Sequence, residues 1–155
     1  MGLTSLVSYI ISGLLIWASF YIAEGSHFNI LMFWDLSAFV IILAGLMITF
    51  VNFRFSEVYN AVADGLTKRL REGFEDRYEL NKIIIKSIGT YTLYASLLMF
   101  FVALIIILGN LDSLDKLGAS IAVAIIVFLY ALMVRLFIVV PLNTSLDKKM
   151  TKVIK

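Results

Sequence analysis

The chain has 155 residues, 61% of them hydrophobic and only 15% charged, against about 25% charged in an average soluble domain; its mean hydropathy is +0.98. With no cysteine and one histidine, a disulfide framework, a cysteine-bound metal or cluster and a histidine-rich metal site within one chain are excluded. A net charge of +2 is too small to point to nucleic acid.

In chain order, the charges leave four long gaps. Residues 2–23, 36–53 and 87–111 carry none, and residues 117–146 carry only Arg135. About 20 apolar residues cross the roughly 30 Å hydrocarbon core of a bilayer. The expectation is an all-α membrane protein with four transmembrane helices, at about 3–23, 33–53, 87–108 and 118–142. A loop at 54–86 and a tail at 143–155 lie between and after them. The first segment lacks a Lys or Arg before its apolar run and is long for a signal peptide, so a retained span is expected. Asp35 falls at the outer edge of the second span. Aromatic residues Tyr21, Phe28, Phe33 and Trp34 flank the first short loop, as interfacial anchors do. His27 and Glu24 in that loop read as solvated groups.

Lys and Arg set the orientation. The 54–86 loop holds Arg54, Lys68, Arg69, Arg71, Arg77, Lys82 and Lys86, and the tail holds Lys148, Lys149, Lys152 and Lys155. Together they account for eleven of the thirteen basic residues. The loop, the tail and both termini are therefore expected on the cytoplasmic side. The loop has no proline, so a helix running on from the second span is permitted. Val58, Val62, Leu66, Leu70 and Phe74 recur every four residues and predict a helical hairpin, broken near Gly65 or Gly73, as a short helical extension of the bundle. Its seven basic and six acidic residues suit either a solvated extension or a docking surface for a cytoplasmic partner, with Arg69, Arg71, Glu72, Glu75, Asp76 and Arg77 as the candidate contacts.

Arg135 is the one charge within a span. A central arginine costs about 2.5–3.5 kcal/mol on insertion scales. It precedes Pro141 by six residues, about 9 Å of helix, so its side chain reaches the headgroups by snorkelling or pairs with a carboxylate on another chain. No carboxylate of this chain lies at that depth.

Residues 109–142 read GNLDSLDKLGASIAVAIIVFLYALMVRLFIVVPL. Asn110-Leu111-Asp112, Leu117-Gly118, Ala122-Val123-Ala124, Leu129-Tyr130 and Pro141 fall in register with the end of the MotA/TolQ/ExbB family, and the chain most resembles a short, divergent MotA-like flagellar stator subunit. Softer likeness extends over the other spans, through the turn at Gly25, Ala44-Gly45, and Phe53 and Phe55. The resemblance implies a multi-span subunit of an ion-gradient-driven motor or energy-transducing complex in the bacterial inner membrane. It implies a homopentamer around single-span MotB/TolR/ExbD-like partners, with proton or sodium as coupling ion and no other cofactor. The third and fourth spans would line the pore.

Two departures bear on that expectation. In family register, the pore-lining positions are Met99, Phe100, Val127, Phe128 and Tyr130, and Met99-Phe100 and Val127-Phe128 stand where the family places small or hydroxylated residues. An ion stripped of water needs oxygen partners; Thr90, Thr92 and Ser96 on the third span and Ser120 at the start of the fourth could supply a different polar route. The 54–86 loop is also about a third of the length the family carries there. A non-conducting, MotA-like oligomeric scaffold is therefore the alternative. A small four-span transporter ranks lower, because no span centre holds a carboxylate. No nucleophile–base pair or metal set is present, so an enzyme is not expected.

Overall fold

A computed structural model describes residues 3–24, 35–67, 69–109 and 114–154. Gly25, His27, Phe28, Phe33, Trp34, Lys68 and the turn Asn110-Leu111-Asp112 lie outside the described residues, as does the side chain of Tyr21. The described chain is all helical. Helix α1 covers Leu3–Glu24 and belongs to a unit of its own. The second unit holds α2 (Leu36–Asn52), α3 (Phe55–Leu66), α4 (Phe74–Leu108), α5 (Leu114–Val134), a π-helical turn (Arg135–Val139) and α6 (Val140–Ile154). By length and composition, α4 and the stretch Ser120–Ile154 can each cross a membrane, and α2 with α3 makes a third candidate if the bent pair is one span.

Helix α2 starts where Asp35 accepts a hydrogen bond from the Ala38 amide at 2.8 Å, an N-cap that satisfies one of the donors a helix start leaves open. It does not run on into α3. Phe53 and Arg54 are both extended, and the axis turns through 110°. Neither residue is a glycine or proline. The cause is a new helix start: the Arg54 amide donates to Glu57 Oε2 at 2.9 Å, the N3 carboxylate reaching back as in a capping box.

The expected hairpin break falls between Leu66 and Phe74. Gly73, at φ +68°, is the N-cap of α4, a left-handed conformation that glycine adopts without steric cost. From there α4 runs 35 residues without interruption, about 52 Å at 1.5 Å per residue. It starts thirteen residues before the uncharged segment because nothing between Phe74 and Lys86 stops a helix. The four-residue stripe divides on folding: Val58 and Phe74 are buried, Val62 is half-buried, and Leu66 and Leu70 are exposed. The face that packs is Val58, Ala61 and Gly65.

Close backbone approach holds the apolar half together. A Cβ on Gly45 of α2 would lie 2.8 Å from Thr92 Cα of α4, so the missing side chain is what lets the helices meet. Ala103 of α4 and Ala124, Val127 and Ala131 of α5 are buried likewise, the small-residue packing common in membrane helices. The π-turn precedes Pro141, which lacks an amide proton and crowds the preceding turn. There the Val140 amide reaches the Arg135 carbonyl, one residue further than in an α-helix. Val139 on that turn packs on Gly89, whose added Cβ would stand 3.0 Å from Val139 Cγ2.

The larger core lies at the charged end. Val58 and Ala61 of α3, Phe74, Ile84, Ile85 and Ile88 of α4, Val139 of the π-turn, and Leu142 and Leu146 of α6 form one buried cluster. The tail expected at 143–155 is helical to Ile154 and supplies part of this core.

Candidate functional site

Beside that core sits a carboxylate with a fully buried side chain, Asp64 in the last turn of α3. Three further segments reach it. Asn81 of α4 donates its amide to Asp64 Oδ2 at 2.9 Å. Arg71, in the connection after α3, places its guanidinium 3.4 Å from Oδ1. Arg77 Nε of α4 lies 3.5 Å from Oδ2, close enough for attraction but not aligned as a hydrogen bond. From α6, the Lys149 ammonium donates to the backbone carbonyl of Asp64 and lies 5.7 Å from the Phe74 ring centre. Burial pushes the Lys149 pKa down; attraction to Asp64 opposes that and repulsion from Arg71 adds to it.

The arrangement joins α3, α4 and α6 through one residue. Taking a carboxylate out of water costs several kcal/mol, and the bonds from Asn81 and Arg71, with the attraction of Arg77, offset that cost here. The arginine side chains remain 40% and 34% exposed, so water screens their part of the interaction. Three cations lie around one buried anion, the two arginines part-exposed and Lys149 buried.

A second, more open clamp ties α4 to α6. Tyr78 donates to Asp147 Oδ1 at 2.6 Å, and Lys82 reaches the same oxygen at 2.7 Å and the tyrosine hydroxyl at 3.1 Å. The bond to Asp147 raises the pKa of Lys82, with the tyrosine helping. Asp147 is pushed up by burial, but its bonds to Lys82 and Tyr78 outweigh that and leave it below the ordinary carboxylate value. Tyr78 is raised, chiefly by the same carboxylate.

Among the six expected docking residues, Arg71 and Arg77 converge on Asp64, and Arg71, Glu72, Glu75 and Asp76 share the lining of an open cavity at the turn into α4. Arg69, Glu72, Glu75 and Asp76 remain exposed around the turn into α4. The pore-register residues lie elsewhere, at the α4–α5 contact. Val127 is fully buried within the chain, while Met99, Phe128 and Tyr130 are half-buried. Phe100, also half-buried, meets Phe128 edge-on at 5.4 Å between ring centres, so the two rings fill the seam. Thr92 and Ser96 are buried, but each donates to a carbonyl of its own helix, Ile88 at 2.8 Å and Leu93 at 2.7 Å. Thr90 does the same with Lys86. Arg135 is exposed on the π-turn, and Pro141 is buried.

Asp64, Asn81 and Lys149 are the functional candidates that residue patterns passed over. One signal was present. Asp64 interrupts the run Ala61-Val62-Ala63-Asp64-Gly65-Leu66 beside two buried positions, Ala61 and Gly65. A carboxylate there needs a partner or must be solvated. What solvates it comes from residues 7 to 85 positions away. No protein-family model matches the chain, and no curated protein matches it either.

Proposed function

We propose that the chain is a four-span inner-membrane protein with a cytoplasmic charged end, acting as the multi-span subunit of an ion-gradient-driven complex of the MotA/TolQ/ExbB kind. The observation that supports this best is the pair formed by α4 and the α5–π–α6 rod. Each runs unbroken from an uncharged segment into a charged one, and at the charged end both are bound to α3. Such a pair can carry a displacement from the membrane to a partner outside it. On this reading α1 and α2 supply the remaining spans, and copies of the chain surround a single-span partner that brings the ion-binding carboxylate. Arg135, exposed on this chain, reaches either the headgroups or a carboxylate of a neighbouring chain.

One observation favours a second reading, a ring that serves as scaffold without ion flux. The Phe100–Phe128 contact and the burial of Val127 fill the positions where the resemblance puts the ion route. The test is gentle extraction of the native complex, with its subunits counted and identified, followed by proton and sodium flux in vesicles. A ring enclosing foreign single-span helices, with flux, supports the motor subunit. A homo-oligomer without flux supports the scaffold. A monomer without partners contradicts both.

A further inference from the structure

Helix α3 has three faces. Val58, Ala61 and Gly65 pack inward on α4 and α6. Ser56, Glu57 and Asn60 make a polar side. The third is an apolar stripe at positions i, i+4, i+7 and i+11, which share one line of a 3.6-residue helix. It comprises Phe55, Tyr59, Val62 and Leu66, with Phe55, Tyr59 and Leu66 exposed at 74%, 62% and 56%. The stripe stands roughly a quarter-turn from the packed face, so Val62 touches the core at its edge while Phe55, Tyr59 and Leu66 stay exposed.

The level of α3 on the molecule is also defined. Asp64 bonds to Asn81, and Val58 and Ala61 share a core with Ile84, Ile85 and Ile88. This is the stretch of α4 where the charged sequence ends, at Lys86, and the uncharged 87–111 segment begins. The 110° turn after α2 lays α3 across the bundle there, somewhat past the perpendicular. Its stripe joins the outer surface of α2 around that turn: Phe55 stacks on Phe50 with ring centres 5.8 Å apart, and Phe50 and Val51 are themselves exposed.

We infer that α3 is an in-plane membrane helix, with its Phe55–Tyr59–Leu66 stripe seated in the boundary between phospholipid headgroups and acyl chains. The occupant of the stripe is lipid, because the stripe is continuous with the apolar outer face of α2, which meets lipid in a spanning helix. Each face then meets the medium that suits it: protein on one side, hydrocarbon on the second, water on the third. Tyr59 suits the position, with a ring that enters the apolar layer and a hydroxyl that stays among headgroups. Arg54, at the start of α3, and Lys86, beside the α3–α4 core, are both exposed and face phosphate groups there. The α3 assignment turns the bend after α2 from a connection into an anchor that fixes the depth of the Asp64 junction.

The assignment rests on the membrane-spanning reading, and one experiment separates the two. The chain has no cysteine, so Phe55→Cys, Tyr59→Cys, Leu66→Cys, Ser56→Cys and Asn60→Cys each carry a single spin label in phospholipid vesicles. Leu98→Cys, on the exposed face of α4, is the reference for a lipid-facing site. Oxygen partitions into lipid and a nickel chelate into water. Labels at 55, 59 and 66 are expected to show high oxygen and low nickel collision, with the order reversed at 56 and 60. Nickel access at 59 and 66 equal to that at 56 and 60 overturns the α3 assignment. So does shielding from both reagents, with spin–spin broadening if a second copy covers the stripe and without it if a foreign protein does. An aqueous label at 98 overturns the membrane-spanning reading as well.

Discussion

The two ends of the α2–α6 unit solve the packing problem in opposite ways. At the apolar end, helices meet through what is missing: no side chain at Gly45, and only methyl groups at Ala103, Ala124 and Ala131. In lipid there is little hydrophobic gain in bringing helices together, so close contact must do it. At the charged end, which the membrane-spanning reading puts in water, a conventional core forms from Val58, Phe74, Ile84, Ile85 and Leu146. A buried polar residue, Asp64, then determines which helices share that core. Shape specifies the first region, and charge pairing the second.

The difference can be broken at its strongest point first. Asp64→Ala leaves Arg71, Arg77 and Lys149 without their buried anion. Breaking a buried pair from one side costs about 3–5 kcal/mol, and screening at the part-exposed Arg71 and Arg77 puts this case at the low end of that range. The expected result is a large drop in the thermal midpoint in mild detergent, with faster tryptic cleavage after Arg71 and Arg77. Asp64→Asn, which keeps the hydrogen-bonding shape, should lie between the parent and Asp64→Ala. An unchanged midpoint and cleavage rate in Asp64→Ala would show that the junction is not needed.

Next in size is Gly45→Leu. Its side chain must enter a space where even a Cβ meets Thr92 Cα at 2.8 Å. Overpacking of this kind costs about 1–3 kcal/mol. The α2–α4 contact should loosen, read as lost cross-linking between cysteines placed on those two helices, while the tryptic pattern at the charged end stays as in the parent. Damage reaching Arg71 and Arg77 would mean that the two ends do not hold separately.

The smallest effect concerns the open clamp. Asp147→Asn should cost up to about 1 kcal/mol, as for exposed ion pairs, because the Asp147 side chain is 49% exposed. The clamp also has a pH signature. The Asp147 pKa is lowered by folding, so its stabilisation is present above the ordinary carboxylate value, about 3.9, and is lost as pH falls through that range. The Lys82 pKa is raised, so its part is complete below the ordinary lysine value, about 10.4, and fades only as pH rises beyond it. Lys149 has the opposite sign: with a depressed pKa, its burial penalty is relieved as pH rises toward the ordinary lysine value. In Asp147→Asn the acid-side loss should shrink; an acid limb identical to the parent's would remove Asp147 from the account.

Much of the apolar end was legible in the residue order. Charge-free stretches locate the helices there, since a bilayer-length apolar run admits few other structures. The lengths of α4 and α6 were less legible. Charge marks where a helix leaves lipid, not where it ends, and no glycine or proline stops α4 before Gly73 or α6 after Pro141. The turn at Phe53–Arg54 also carries no breaker, and its only sign is Glu57 three residues on, in position to cap a new start. The single four-residue stripe proposed for 58–74 is two surfaces, because α3 packs on one side and leaves another uncovered. Asp64 was hidden for a different reason. Its burial depends on α6, a partner helix whose approach no local pattern records. The family register puts Phe100 and Phe128 at pore positions; their mutual contact follows from how α4 and α5 cross, which the register alone does not specify.

The division of α4 into a lipid half and a water half is the claim on which the rest depends. It is tested most directly by single cysteines along that helix in lipid nanodiscs, treated with a membrane-impermeant maleimide. Substitutions at Glu79, Ile83, Leu97, Leu98 and Ile105, residues all exposed on the protein surface, give the profile. The account predicts rapid labelling at 79, intermediate labelling at 83, which lies at the level of α3, and protection at 97, 98 and 105. Equal labelling at all five positions would contradict it.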